Sequence, residues 1–314
     1  MITRKWPGSF SRGVETMDQF LVISDLGGVS NFDSIKISGA VISAYLDMYP
    51  DRSVIFSEDF KMQVTDAFPF NSGTPYLPTP IFPALPFKQG SKIDERIKAM
   101  KSRKRRPQFV SIDTARAMAN AYAESGYTSA FMGSILDSHD MIVKTPNVEE
   151  IPGVKIDPVT QESEIYTKEV TRYETGAKLW IHMSTQEDDL LVALVALQDS
   201  GISSRRSVGF GRFRVKGIKF NFSVGFSEPG LYEVLSPYIP EQNDLDSIDF
   251  EKSSYTLSLF SGNDMDGAPL TVCKFFDTGS VLYLKRQVKG SWVEPKGKRK
   301  RLINFKGSFL RLGS

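Results

Sequence analysis

The sequence contains very few of the residues that form disulfides and metal centres. Of its 314 residues, one is a cysteine, Cys273, and two are histidines, His139 and His182. A single cysteine excludes an internal disulfide and a cysteine-rich zinc site, and two histidines are too few for a histidine-rich metal centre. We therefore predict a protein that needs no structural metal and no cofactor.

Long hydrophobic runs are also missing. No apolar segment approaches the roughly 20 residues that a membrane-spanning helix needs. The basic segment 1–12 is not followed by an apolar core with a small-residue cleavage site, so a secretory signal is not indicated. We expect a cytoplasmic protein without a membrane partner, and its 40% hydrophobic and 24% charged residues are ordinary for a globular fold.

The net charge of +2 conceals three basic clusters. Residues 96–106 include seven basic residues and no acidic residue, and residues 200–227 include six basic residues and no acidic residue. Residues 285–306 include nine basic residues and one acidic residue, Glu294. Such clusters on a near-neutral chain favour a polyanion bound at defined places, with other faces left for protein partners. A solvated basic surface is the alternative for each cluster.

Hydrophobic patterns predict the elements of the first 225 residues. Prolines between Pro69 and Pro86 predict an extended loop, and the polar segment 138–175 predicts a long loop or a projecting hairpin. The predicted elements are a strand at 20–24, a helix at 34–49, a strand at 61–68, a helix at 113–124 capped by Asp113, a strand at 177–183, a helix at 188–198 with a capping box of Ser184 and Glu187, and a strand at 212–222.

This order predicts an α+β fold. It matches the strand-helix-strand-strand-helix-strand pattern of a ferredoxin-like domain if one further strand lies in 68–109 or 138–175. After Gly230, short strand-like runs separated by glycine turns predict a second, β-rich domain. The predicted division is a domain at 1–228, with insertions at about 69–125 and 138–175, and a domain at 229–314.

The most informative segment is 203–215, with the sequence SSRRSVGFGRFRV. Its glycines can adopt positive φ and leave backbone donors open to a phosphate, while its arginines can clamp phosphates and Phe210 or Phe213 can stack on a base. A tight turn with solvated arginines is the alternative. Neither a dinucleotide fingerprint nor a P-loop fits, because Gly217 comes too late and no Gly-Lys-Ser/Thr follows.

Six segments of the chain have a distinctive sequence and occur in a fixed order. They are 66–70 (DAFPF), 76–80 (YLPTP), 109–111 (FVS), 172–180 (RYETGAKLW), 205–213 (RRSVGFGRF) and 279–281 (GSV). In this order they resemble one branch of the RAMP superfamily of CRISPR proteins, the fourth subunit of the type III-A (Csm) effector, which is a member of the Cas5-like group.

The resemblance implies two ferredoxin-like (RRM-like) RAMP domains in a non-catalytic RNA-binding subunit. Such a subunit holds the 5′ repeat-derived tag of the guide RNA (crRNA), docks the large polymerase/nuclease subunit and adjoins a backbone RAMP subunit. The insertion 138–175 would form a thumb-like hairpin that kinks the RNA between tag and spacer. The implied RNA-binding residues are Lys36, Ser38, Arg172, Arg205, Arg206, Ser207, Gly209, Phe210, Gly211 and Arg212.

Two alternatives remain open at this point. Some members of the superfamily are metal-independent endoribonucleases that process precursor crRNA, and such cleavage needs a group that titrates near neutrality. His139 is the candidate for that group, whereas His182 lies in a predicted strand and is expected to be structural. The equivalent type III-B subunit has a similar layout.

Overall fold

The computed structural model describes residues 17–27, 32–51, 60–82, 108–125, 147–156, 161–202, 211–261, 272–294 and 302–313. Their helices are α1 (Ser34–Met48), α2 (Ile112–Ser125), α3 (Asp188–Ser200) and α4 (Gln242–Leu245). Their strands are β1 (Met17–Gly27), β2 (Met62–Val64), β3 (Phe68–Asn71), β4 (Thr74–Pro78), β5 (Phe109–Ser111), β6 (Asn147–Ile156), β7 (Ser163–Arg172), β8 (Leu179–Thr185), β9 (Arg212–Ile218), β10 (Gly230–Val234), β11 (Ile248–Ser254), β12 (Leu257–Phe260), β13 (Cys273–Phe276), β14 (Val281–Leu284), β15 (Ser291–Val293), β16 (Ile303–Phe305) and β17 (Phe309–Gly313).

The first sheet has the order β5-β4-β3-β8-β1-β9, and β2 also pairs with β8. All of these pairings are antiparallel. The helices α1 and α3 cover one face of this sheet because their apolar residues recur at helical spacing and point towards it. Ile37, Val41 and Leu194 of the helices pack there with Leu21 and Ile181 of the strands.

The second sheet has the order β11-β14-β10-β17, and three further strand pairs, β6–β7, β12–β13 and β15–β16, stand beside the two sheets. Both sheets share a buried cluster with α2, which contains Leu77 and Trp180 of the first sheet, Met118 of α2, and Leu231 and Leu310 of the second. Every strand of the first sheet precedes residue 219, and every strand of the second follows residue 229.

Several elements that were predicted from the sequence are present in the structure. The coarse prediction of an α+β fold is confirmed, as are the helices α1, α2 and α3 and the strands β1 and β8, and the sheets of this fold are antiparallel. The predicted projecting hairpin is β6–β7, whose ten residue pairs run from Asn147↔Arg172 to Ile156↔Ser163. None of the helices in the described segments is long and apolar enough to cross a membrane.

The predicted proline-rich loop was wrong for its first part, because residues 68–78 form the hairpin β3–β4. Ser72 and Gly73 connect the two strands with φ angles of 50° and 87°, which is the conformation of a tight two-residue hairpin turn. The neighbours of the prolines supply the bonds that the prolines cannot, since the Phe70 N–H donates to the carbonyl oxygen of Lys178 at 2.9 Å.

Two further local predictions were wrong. The single strand expected at 61–68 is interrupted at Thr65–Ala67, between β2 and β3. The helix α2 is capped by Ser111 rather than Asp113, since the Ser111 hydroxyl accepts from the Thr114 N–H at 3.2 Å.

The capping box expected before α3 is also absent. Glu187 is the N-cap residue and makes no side-chain capping bond, and its own N–H donates to Thr185 Oγ1 at 3.1 Å. At the other end of α3 the predicted glycine cap is present, because Gly201 has a φ of 81° and its N–H donates to the Leu197 carbonyl oxygen.

Glu233 leads to a prediction about the pH dependence of stability. Its side chain is fully buried in β10, neither carboxylate oxygen has a hydrogen-bond partner among the described residues, and burial raises its pKa well above 4.5. The folded state therefore keeps a proton that the unfolded state releases, so the free energy of unfolding falls as pH rises above about 4.5, by up to about 1.4 kcal/mol per pH unit.

Glu233→Gln should remove this loss, because glutamine stays neutral at every pH. Denaturant unfolding at several pH values should show that the free energy of unfolding of Glu233→Gln increases relative to that of the wild type as pH rises towards the folded-state pKa. Glu251→Gln, at an exposed position of β11, is the matched control and should keep the wild-type pH profile. An unchanged profile in Glu233→Gln would contradict the assignment.

Candidate nucleic-acid interface

Three aromatic side chains bring separate segments together at one end of the first sheet. The ring of Phe32, just before α1, lies 5.8 Å from the ring of Phe213 in β9 and 6.5 Å from that of Tyr173, which precedes β8. Burial and the nearby Asp33 carboxylate raise the pKa of Tyr173 to about 12. This contact places Lys36, Arg172 and Arg212, which were predicted from the sequence, at the same end of the sheet.

The N-terminus of α1 is held by two aspartates. Asp33 is the N-cap residue, and its carboxylate accepts from the Lys36 N–H at 2.8 Å and pairs with the Lys36 ammonium at 2.7 Å. Asp66 accepts from the N–H of Ser34 at 2.7 Å. The exposed Lys36 therefore lies at this end of the sheet with its charge partly compensated.

The segment 203–211, called here the glycine-arginine loop, is anchored at its base. The Ile202 N–H donates to the Gly211 carbonyl oxygen at 2.9 Å, and Gly211 has a φ of 76°, a conformation that other residues rarely adopt. Gly211 is buried, so its contribution is to close the loop. The predicted RNA-binding residues Arg205, Arg206, Ser207, Gly209 and Phe210 lie outside the described residues.

Beyond the loop, β9 carries a stripe of cations on one face. Leu21 and Ile23 of β1 point into the core beneath the helices, whereas Val22 and Ser24 pair with Lys216 and Arg214 on the opposite face. Alternation along β9 puts Arg212 on that same face.

All three cations of this stripe, Arg212, Arg214 and Lys216, are exposed. Arg214 donates to Asp199 of α3 at 2.6 Å, and this hydrogen bond lowers the pKa of Asp199. The charges of Arg212 and Lys216 remain available to an anion, because neither forms an ion pair within the described segments.

Arg172 belongs to the projecting hairpin. It is the last residue of β7, directly before Tyr173, and its Nε lies 3.1 Å from the Glu149 carboxylate across the hairpin. The same hairpin exposes Val154, Ile156 and Ile165, with Ile165 exposed by 77%. Arg172 thus links the base of the hairpin to the end of the sheet where the loop is anchored.

Ser38 does not fit the predicted interface. Its side chain is 2% exposed, its hydroxyl donates to the Ser34 carbonyl oxygen one turn earlier, and the Asn304 amide nitrogen lies 3.4 Å away. The helix periodicity turns this position towards the core. We therefore correct this assignment: Ser38 supports the packing of β16 against α1.

The face of the first sheet opposite the helices carries a cluster of aromatic rings. Phe220 and Phe222 follow β9 and stack on each other with centroids 5.0 Å apart, and both rings contact Phe20 and Trp180. Trp180 is fully buried and donates its Nε1–H to the Tyr76 carbonyl oxygen at 2.8 Å. The centre of this face is therefore covered by the chain itself.

His182 lies beside this cluster and is unsuited to proton transfer at neutral pH. It is 2% exposed, and burial lowers its pKa to about 4 although Asp18 lies 3.6 Å away. His139, the other candidate base, lies outside the described residues. Among the described residues there is no group of three or more His, Cys, Asp or Glu side chains that could hold a metal ion.

Three of the sequence segments used for the family resemblance meet at a junction between the two sheets. Asp66 accepts from the Thr278 hydroxyl at 2.7 Å, 212 residues further along the chain, and its own N–H donates to the Leu235 carbonyl oxygen. The Ile81 N–H donates to the carbonyl oxygen of Gly279, whose φ is 87°. The segment 66–70 is therefore bonded to Thr278, the residue before 279–281, and Gly279 is bonded to Ile81, the residue after 76–80. These bonds join the two halves of the chain.

Several residues that shape this end of the sheet were not among the site residues predicted from the sequence. Lys216 could have been found from the alternation of basic and apolar residues at 212–216, which is the pattern of a strand with one charged face. The positions of Phe32, Asp66 and Tyr173 depend on contacts between distant segments, and no local pattern indicates them.

No known protein-family model matches the chain. The chain is 26% identical over 247 residues to the "CRISPR system Cms protein Csm4" of Streptococcus thermophilus, a match that covers 74% of this chain and 72% of that protein. This similarity confirms the resemblance that the sequence segments indicated.

Solved structures with the same fold include a chain of a Csm3-Csm4 subcomplex of a type III-A CRISPR-Cas interference complex. Its TM-score is 0.63 at 14% identity, covering 93% of this chain and 98% of that one. A chain of a Csm1-Csm4 cassette in complex with cA4 has a TM-score of 0.53 at 15% identity, covering 94% and 97%. A chain of a type III-B Cmr-beta complex bound to cognate target RNA also scores 0.53, at 13% identity and covering 84% and 86%.

Proposed function

We propose that this chain, a Csm4-like protein, is a non-catalytic RNA-binding subunit of a type III-A CRISPR effector complex. The observation that carries the proposal is the convergence at one end of the first sheet. There the base of the glycine-arginine loop meets the cationic face of β9, the start of α1 and the foot of the β6–β7 hairpin. Exposed guanidinium and ammonium groups in one place suit a single-stranded RNA backbone.

We also assign a ferredoxin-like topology to the first domain, residues 1–228. Four neighbouring positions of the first sheet have the order β9-β1-β8-β2/β3, with β9 at the edge. The helix α1 follows β1, α3 follows β8, and both helices pack in one cluster on one face. We assign 229–314 to a second, β-rich RAMP domain built around the sheet β11-β14-β10-β17.

The proposed RNA path follows the end and the edge of the first sheet rather than its centre. Many ferredoxin-like RNA-binding domains stack bases on the open face of the sheet. Here Phe220, Phe222 and Trp180 fill that face with contacts of their own. Arg212 and Lys216 are exposed and form no ion pair among the described residues, and they lie on β9, which begins directly after the loop.

In the complex, the loop would hold the 5′ repeat-derived tag of the crRNA and the β6–β7 hairpin would act as the thumb between tag and spacer. The exposed Val154 and Ile165, which are paired in the hairpin, suit insertion between separated bases. The partners proposed are the large polymerase/nuclease subunit and the adjacent backbone RAMP subunit. The Csm1-Csm4 cassette and the Csm3-Csm4 subcomplex support this choice, and the Csm4 relative favours type III-A over type III-B.

The purified full chain tests this proposal directly. Labelled single-stranded RNA carrying the repeat-derived tag should bind and should remain uncut without added metal. A metal-independent cut that His139→Ala abolishes would support the endoribonuclease alternative instead. A chain that neither binds nor cuts RNA, alone or with its partner subunits, would contradict both.

A further inference from the structure

We propose that a pocket between α2, β17 and the segment 219–229 binds a phosphate group of the same RNA, an inference that rests on the proposed function. The pocket has a volume of about 440 Å³, enough for one nucleotide. It is lined by Arg116, Ser223, Ser227, Arg311, Leu312 and Gly313. No segment used for the family resemblance contributes to it.

The charges of this pocket are incompletely compensated. Arg116 is half-buried and has no hydrogen-bond or ion-pair partner in the part of the chain that the structure describes. Arg311 pairs through Nη1 with Glu228, but its Nε is enclosed without an acceptor. Guanidinium nitrogens that lose water without gaining an acceptor are costly, and an anion bound in the pocket would give the half-buried Arg116 guanidinium its acceptors.

The donor set favours phosphate. Two guanidinium groups and the exposed Ser223 hydroxyl line one space, and guanidinium donors match the oxygen geometry of a phosphate. The Ser227 hydroxyl is already paired with the Tyr232 hydroxyl at 3.3 Å, which in turn donates to the Glu228 carbonyl oxygen. The volume is larger than a phosphate alone requires, so the rest of a nucleotide can enter with it.

The position of the pocket favours RNA over a free anion. The cationic face of β9 leads from the glycine-arginine loop through Lys216 towards Lys219, and the same segment then supplies Ser223 and Ser227. Phe222, directly before Ser223, belongs to the half-buried aromatic cluster. A single-stranded RNA that runs along β9 away from the loop would therefore bring its phosphate backbone to the pocket.

The test compares single-stranded RNA binding by the full chain and by Arg116→Gln. This variant leaves the Arg311–Glu228 pair intact, and Lys274→Gln on β13 is the control for losing one exposed positive charge. Fluorescence anisotropy over a range of salt concentrations should show about threefold to tenfold weaker binding by Arg116→Gln and a salt slope reduced by about 0.7. Lys274→Gln should match the wild type, and melting temperatures should agree.

The outcomes separate this inference from the proposed function. If Arg116→Gln keeps the RNA affinity and the salt slope of the wild type while Arg205→Ala/Arg206→Ala binds RNA more weakly, the pocket inference is overturned and the proposed function is not. Inorganic phosphate that raises the melting temperature of the wild type but not of Arg116→Gln, while RNA binding stays equal, would mark a free-phosphate site and also overturn it. A wild-type chain that fails to bind RNA would overturn the proposed function and this inference with it.

Discussion

Replacing Asp66 with alanine should lower the free energy of unfolding by about 2–4 kcal/mol. The carboxylate accepts from the Ser34 N–H at the start of α1 and from the Thr278 hydroxyl, both at 2.7 Å. Alanine would leave both donors without their acceptor and would break the side-chain link between the two sheets. Denaturant unfolding at neutral pH, read by circular dichroism, measures the loss.

Asp66→Asn is the matched control, because asparagine keeps an acceptor for Ser34 without a charge. Burial raises the pKa of Asp66 to about 6 although its hydrogen bonds oppose the shift. Because the folded-state pKa is raised, the contribution of Asp66 to the free energy of unfolding is fully present below about pH 4 and is lost as the pH rises to about 6. Asp66→Asn should be within about 1 kcal/mol of the wild type at neutral pH and should lack this loss. An alanine variant as stable as the wild type would contradict the proposed junction.

Replacing Arg205 and Arg206 together with alanine should weaken binding of tagged RNA by about 100-fold or more, because each charge-assisted hydrogen bond contributes about 1.5–3 kcal/mol. The Ile202–Gly211 hydrogen bond closes the base of the loop between the end of α3 and the start of β9, and the two arginines lie between these residues in the sequence. The same variant should assemble poorly with the partner subunits and retain less crRNA. Anisotropy with the labelled tag RNA measures the first effect.

The chain offers a matched control for this experiment. Arg105 and Arg106 form a second adjacent arginine pair, in the basic cluster 96–106. Arg105→Ala/Arg106→Ala removes the same charge and should change affinity by less than about threefold if the loop is the specific site. Equal losses in the two double variants would mean that the chain attracts RNA only through its overall charge. Intact assembly with normal guide content after the loop change would also contradict the account.

The sequence predicted the helices well because their signals are local. Apolar spacing set the bounds of α1 within one residue, and Gly201 ended α3 as expected. The prolines led to the wrong prediction of a loop at residues 68–78. Proline is excluded from strand interiors because it cannot donate a backbone hydrogen bond, but this matters less in a short hairpin, where β3 and β4 form only a few inter-strand hydrogen bonds. The capping box failed because Ser184 is already the penultimate residue of β8.

The candidate site was predicted in part, and the remainder depends on tertiary contacts. The unusual combination of glycine and arginine at 203–215 predicts an RNA-binding loop, and this stays a prediction because residues 203–210 lie outside the described residues. Ser38 was misplaced because a polar residue can also face inward when a carbonyl oxygen lies one turn away, as that of Ser34 does. The Asp66–Thr278 bond and the pocket of Arg116 and Arg311 join segments far apart in the sequence, so no local pattern could reveal them.

The central claim is that this chain holds the tag of a guide RNA within an effector complex. The most direct measurement is to purify the tagged protein gently from its native host and to identify the co-purifying proteins and both ends of the bound RNA. We expect short RNAs that share one 5′ repeat-derived tag, together with a large polymerase-like subunit. A monomer that carries no RNA, or RNA with heterogeneous ends, would contradict the claim.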